Sequence, residues 1–228
     1  MNINNKSEKE NTYDAIVVGT GVSGGWAAKE LTEGGLKTLV LERGRDVKHV
    51  KDYPTMNKNT WELPYRDQLT AKERKDYPVQ LRTGYTVKQS TKHWWVKDTE
   101  QPYTEKKGAF DWIRGYHVGG RSLLWGRQVY RWSKQDFEAN AKEGVSIDWP
   151  IRYSDIEKWY DHVENFIGVS GMSEKLPQLP DGQFLPAMEM NCVEKDFRKN
   201  LFEKFGRTYT IGRVCLLYTS DAADEVDG

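Results

Sequence analysis

The stretch Tyr13–Gly44, YDAIVVGTGVSGGWAAKELTEGGLKTLVLERG, constrains this chain more than any other. It opens with Ala15-Ile16-Val17-Val18, a short apolar run rich in β-branched residues, which predicts a strand covered on both faces of a parallel sheet. Gly19-Thr20-Gly21-Val22-Ser23-Gly24 follows as a G-x-G-x-x-G, and a helix is expected to about Glu33, ended by Gly34 and Gly35. Thr38-Leu39-Val40-Leu41 reads as a second strand with Glu42 at its end, eighteen positions after Gly24, and Arg43 beside it. Strand, glycines, helix, strand and acid in this order suit a dinucleotide. Gly19 makes the turn, Gly21 admits a pyrophosphate, and Gly24 brings helix and strand together. The helix N-terminus favours the negative charge, and the carboxylate of Glu42 suits a ribose hydroxyl while repelling a 2′-phosphate. FAD and NAD both fit this pattern.

With 228 residues the chain is one large domain or two small ones. Lys+Arg and Asp+Glu are both 34, so no charge excess points to a polyanionic partner. Cys192 and Cys215 provide neither a disulfide framework nor a metal-ligand spacing, and His49, His93, His117 and His162 are scattered. The polar start, residues 1–12, predicts a disordered leader without a signal peptide, which makes the cytoplasm the default location. No apolar run approaches the length of a membrane span. At the other end, CLLYTSDAADE resembles one reading frame of a sequencing-library adapter. The native sequence is therefore expected to stop near Val214, with 215–228 a non-native tail.

Residues 45–110 form an aromatic-rich stretch without clear periodicity, expected to be an irregular insertion. Within it Leu69–Asp76 suits a short helix and Gln80–Lys88 an extended segment. His93-Trp94-Trp95 suits either a sugar-stacking surface or plain packing of the loop, with packing favoured. A second glycine turn follows, Gly119-Gly120, with Ser122 and a helix start behind it, a further place for phosphate or ring polar atoms. Ser133 with Asp136, and Ser154 with Glu157, predict two capped helices. In the second, Ile156, Trp159, Tyr160, Val163, Phe166 and Ile167 form an apolar face ended by Gly168. Val193, Phe197, Leu201, Phe202 and Phe205 mark another helix, residues 170–190 read as loop, and Arg207–Val214 as a strand. His162 is expected at a surface or boundary rather than in catalysis.

Taken together, the two glycine motifs resemble the glucose–methanol–choline (GMC) oxidoreductase family. VGGRSLLWGRQVYRW and DWPIRYSDIEKWYDHVENFIGVSG look most like its branch with pyranose oxidase, the flavoprotein subunit of gluconate dehydrogenase, and glycoside 3-dehydrogenases. The resemblance implies a Rossmann-like α/β FAD-binding domain over residues 13–214, the N-terminal part of a two-domain fold, hence a fragment. It implies FAD held by Gly19, Gly21, Val22, Ser23 and Gly24 at the pyrophosphate, Glu42 and Arg43 at the adenosine ribose, and Gly119, Gly120, Ser122, Leu123, Leu124 and Trp125 along the pyrophosphate and flavin. Leu124 stands where pyranose oxidase has its flavin-linked histidine, so non-covalent FAD is expected. Arg121 and Tyr116 also depart from the usual residues.

The implied activity is oxidation of the CH–OH group of a sugar, sugar acid or polyol, with a small subunit and a cytochrome as possible partners. The family's catalytic pair, a His with a second His or Asn, is implied to lie in a C-terminal region absent here, so no catalytic residue is assigned; the scattered His and Cys predict no metal site. Two other readings stay open: a non-catalytic FAD-binding or electron-transfer module, and an NAD-dependent dehydrogenase. The second glycine turn speaks against the latter.

Overall fold

The computed structural model describes residues 12–48, 50–84, 86–106 and 110–215. It is a mixed α/β protein with two compact units, Met1–Trp125 and Gly126–Gly228. Most of the expected leader, His49, Tyr85 and residues 216–228 of the expected tail lie outside the described residues.

In the first unit, β1 (Ala15–Val18) pairs in parallel with β2 (Thr38–Leu41), from Ala15 opposite Thr38 to Val18 opposite Leu41. The connection is α1 (Val22–Glu33). Parallel neighbours need such a crossover, because a tight hairpin returns the chain antiparallel. The carboxylate of Asp14 accepts from the Lys37 N–H at 2.8 Å, and the Gly19 N–H donates to the Leu41 carbonyl at 2.7 Å, so both ends of the pair are tied. Beyond β2, Arg45 bridges to His117 in parallel, with Arg45 N–H donating to Tyr116 O and Val118 N–H to Arg45 O. This bridge brings the segment before the second glycine turn beside the end of β2.

The expectation that β1 is covered on both faces is corrected. Val17 is buried, whereas Ile16 and Val18 are 62% and 81% exposed. Successive side chains of a strand point to opposite faces. Among the described residues of this unit, cover reaches only the face carrying Val17, where α1 packs.

Residues 45–110 contain no α-helix or β-strand among those described; they are built from single 3-10 turns. Leu69, Tyr77 and Val87 form a small buried cluster flanked by Leu81 and Trp95. Leu69–Asp76 reduces to one turn at Glu73–Lys75, and Gln80–Thr83 is a turn where an extended segment was expected. The reason for the latter is tertiary. Gln80 is fully buried and its amide donates to the Val96 carbonyl at 2.9 Å, which bends the chain around it. Trp94 is buried against Tyr53, with ring centres 5.0 Å apart, and Trp95 donates to the Thr86 carbonyl, so both indoles pack the segment.

The second unit carries α2 (Lys134–Glu143), α3 (Tyr153–Ile167), β3 (Val169–Ser170), α4 (Cys192–Phe205) and β4 (Val214–Cys215). The Ser133 box is present, with Asp136 accepting from the Ser133 N–H at 2.6 Å. For α3 the cap moves: Asp155 accepts from the Arg152 N–H at 2.7 Å, and Ser154 lies inside the helix. Asn191 and Glu194 cap α4 reciprocally. The strand expected over Arg207–Val214 shrinks to β4, paired antiparallel with β3, where Cys215, first residue of the adapter-like string, is buried.

The buried residue of α3 is Glu164, while Trp159 and Phe166 of its expected apolar face are more than half exposed. Arg131 holds Glu164 through Nε–Oε1 at 2.8 Å and Nη2–Oε2 at 2.5 Å, and also donates to Tyr153 and Asp161. On α4, Val193, Phe197, Phe202 and Phe205 are likewise exposed among the described residues.

Candidate functional site: two glycine turns joined at Thr20

The first turn begins where β1 ends. Gly19 has φ +87, a conformation costly for a side chain, and it turns the chain into α1. A Cβ on Gly24 falls 2.0 Å from the Gly19 carbonyl oxygen and 3.5 Å from Val17, so helix and strand approach as closely as only glycine permits. The start of α1 has Gly21 as its cap residue, no side-chain cap and no acidic residue in its first turn. Its first N–H groups therefore lack both an intrahelical acceptor and a competing carboxylate, and the helix dipole favours an anion there. Val22 and Ser23 are exposed.

Glu42 sits across from this turn. Its Oε2 accepts from the Thr20 N–H at 2.7 Å and from the Thr20 hydroxyl at 2.6 Å, and its Oε1 from the Gly44 N–H at 2.5 Å. Burial pushes the carboxyl pKa up, but the Thr20 hydroxyl and the amides of Gly44 and Thr20 outweigh it and hold Glu42 below the usual carboxylate value. The carboxylate is therefore ionised and oriented. Arg43 turns its guanidinium onto the Tyr116 ring, 4.1 Å from the centroid, and donates to the Tyr116 hydroxyl at 3.2 Å.

The second turn docks on the first. The Gly119 N–H donates to the Thr20 hydroxyl oxygen at 2.9 Å. A Cβ on Gly120 comes within 2.9 Å of the Gly21 Cα, so the two backbones nearly touch. Gly120–Leu124 forms a 3-10 turn, closed by Ser122 Oγ donating to the Gly119 carbonyl at 2.5 Å. Of the residues singled out in the sequence, the glycine turn 19–24, Glu42, Gly119 and Gly120 come together. Leu123 and Leu124 are half-buried behind them, and Trp125 is exposed at the end of the turn.

Sequence reasoning missed three supports. Thr20 lay between the glycines as an unremarked position. Gly44 packs so tightly that a Cβ on it falls 2.2 Å from the His117 N atom. His117 itself is buried against Trp94, ring centres 5.2 Å apart, with Nδ1 lacking a hydrogen-bond partner. Burial, with the Arg45 charge and His93 nearby, pushes its pKa below the usual histidine value. In the sequence, His117 two positions before the Gly119-Gly120 pair is the signal that pointed there.

The cradle fits a dinucleotide pyrophosphate on a direct structural criterion. Gly21 has an ordinary φ of −59, and a Cβ placed on it meets nothing within 4 Å. Neither backbone strain nor internal packing requires a glycine there, and the space beside the helix N–H groups is open.

No family model matches the chain. It is similar to 2-methyl-1,2-propanediol dehydrogenase of Mycolicibacterium austroafricanum, 27% identical over 74% of this chain and 26% of the relative. It is also similar to the gluconate 2-dehydrogenase flavoprotein of Pantoea cypripedii, 31% identical over 69% of this chain and 25% of the relative. The large subunit of fructose dehydrogenase from Gluconobacter japonicus is 27% identical over 69% of this chain and 27% of its own length. The chain thus spans about a quarter of the length of the curated relatives it matches.

Proposed function

This chain belongs by sequence to the glucose–methanol–choline oxidoreductases, and on that premise we propose that it carries the FAD-binding region of an enzyme oxidising the CH–OH group of a sugar, sugar acid or polyol. The observation that carries the reading is the Gly119–Thr20 hydrogen bond, which joins two glycine turns and the Glu42 carboxylate at one hydroxyl. An NAD enzyme has no use for the second turn. The relatives' names, a flavoprotein among them, support the same choice.

In this proposal the N–H groups at the start of α1 hold the pyrophosphate, and Glu42 accepts from a ribose hydroxyl. Gly119, Gly120 and Ser122–Trp125 lie along the flavin end. Bound FAD supplies a two-electron acceptor for the hydride of the substrate carbinol carbon. Leu124 has no nucleophilic atom, so no covalent flavin link forms at that position. The hydroxyl proton needs a base. His117 is a poor candidate because it is buried under the second turn, and no residue of this chain is assigned that role. The proposal places the base outside this sequence and extends to a small-subunit or cytochrome electron acceptor.

The test is reconstitution. Flavin-free protein titrated with FAD should gain a yellow band at roughly 450 nm, lose it on acid precipitation, and show no response to NAD. Thermal protection by NAD with none by FAD overturns the proposal.

A further inference from the structure

We infer that Thr20 is a positioning residue that assembles the cofactor cradle before any nucleotide arrives, by holding the second glycine turn and the Glu42 carboxylate with one hydroxyl. The inference rests on the FAD-binding reading for its purpose, but its geometry stands alone. A hydroxyl has one proton to donate and lone pairs to accept with. Here the proton goes to Glu42 Oε2 at 2.6 Å, and a lone pair takes the Gly119 N–H at 2.9 Å, across 99 positions of sequence. The Thr20 N–H adds a second bond to the same carboxylate oxygen at 2.7 Å. Thr20 is itself buried, so water does not compete for these partners.

Two consequences follow. The Gly119 N–H is protected without ligand, because its acceptor is within the protein. The carboxylate is likewise held, with Oε2 accepting twice from Thr20 and Oε1 once from the Gly44 N–H, which leaves one of its four lone-pair sites, on Oε1, for a further donor. Preorganisation of this kind raises affinity by lowering the ordering cost of binding.

The test compares Thr20→Val, which matches the shape but has no hydroxyl, with Thr20→Ser, which keeps it. Amide hydrogen exchange at Gly119 is measured on the full flavin-free chain, with the α1 amides as internal reference, and FAD affinity is measured in parallel. Exchange at Gly119 should speed up about 3- to 10-fold in Thr20→Val, the loss of one ordinary hydrogen bond, and stay near wild type in Thr20→Ser. FAD affinity should fall by a similar factor in the first and be retained in the second. Unchanged Gly119 exchange in Thr20→Val overturns the inference, as does equal loss in both variants. If the α1 amides of Thr20→Val also lose protection, Thr20→Ala, which only removes atoms, decides by the same criteria. Should Gly119 respond as expected while wild type ignores FAD, the cofactor reading falls and the positioning role stands.

Discussion

Gly21→Ala separates a residue kept small for a ligand from one kept small for the fold. The backbone at Gly21 is one that any residue adopts, and an added Cβ meets nothing within 4 Å. Alanine is the poorer helix cap by about 0.5–1 kcal/mol, and it gains about 0.4–1 kcal/mol by restricting the unfolded chain. These nearly cancel, so Tm should move by no more than about 2 °C. The methyl group does, however, stand at the uncapped start of α1. Forcing an anion back from one N–H there forfeits a charge-assisted hydrogen bond of about 1.5–3 kcal/mol, or about 10- to 150-fold in Kd. Gly24→Ala is the counterpart, because its Cβ lands 2.0 Å from the Gly19 carbonyl oxygen, backbone that cannot swing aside. It should cost more than about 3 kcal/mol of stability. The assay is a melting curve and an FAD titration on each variant. If Gly21→Ala binds FAD within twofold of wild type at unchanged Tm, the claim that this space is reserved for the nucleotide is refuted.

Further outcomes follow from charge and burial. Lys92, Thr70 and Gln89 hold the Glu73 carboxyl down to about 2, against 4.5 unperturbed. A lowered folded value means that its contribution is complete above about pH 4.5 and lost as pH falls toward 2. Discounted for its partial exposure, that is about 1–2 kcal/mol, and Glu73→Gln should flatten the acid limb of a Tm-versus-pH curve. His93 and His117 act in the same direction at higher pH: burial depresses both, so the unfolded chain binds more protons below about pH 6.5. Stability should fall as pH drops through that value, by at most about 1.4 kcal/mol per pH unit for each, and replacing both with Asn should lessen the slope. In the second unit, Glu164→Gln leaves the Arg131 guanidinium buried with the part-exposed Asp161 as its one remaining counter-charge among the described residues. A loss of about 2–4 kcal/mol is expected, read by urea unfolding, and a neutral result contradicts the importance of the pair.

What the sequence determined by itself was local. Turn, helix and two strands between Ala15 and Leu41 follow from β-branched runs, glycines at fixed offsets and a helical interval, because each depends on neighbours a few residues away. The cap at Ser133 and the stop at Gly168 are of the same kind. Burial was another matter: periodicity shows which residues share a face, not whether that face is covered, hence exposed Ile16 and Trp159 and buried Glu164. The site itself was decided by tertiary structure. Thr20 meets Gly119 only because Arg45 aligns the backbone of residues 116–118, and Gly44 matters only because His117 lies against it. A hydrogen bond between residues 99 positions apart leaves no mark in either local stretch, since its energy depends on where the intervening chain returns.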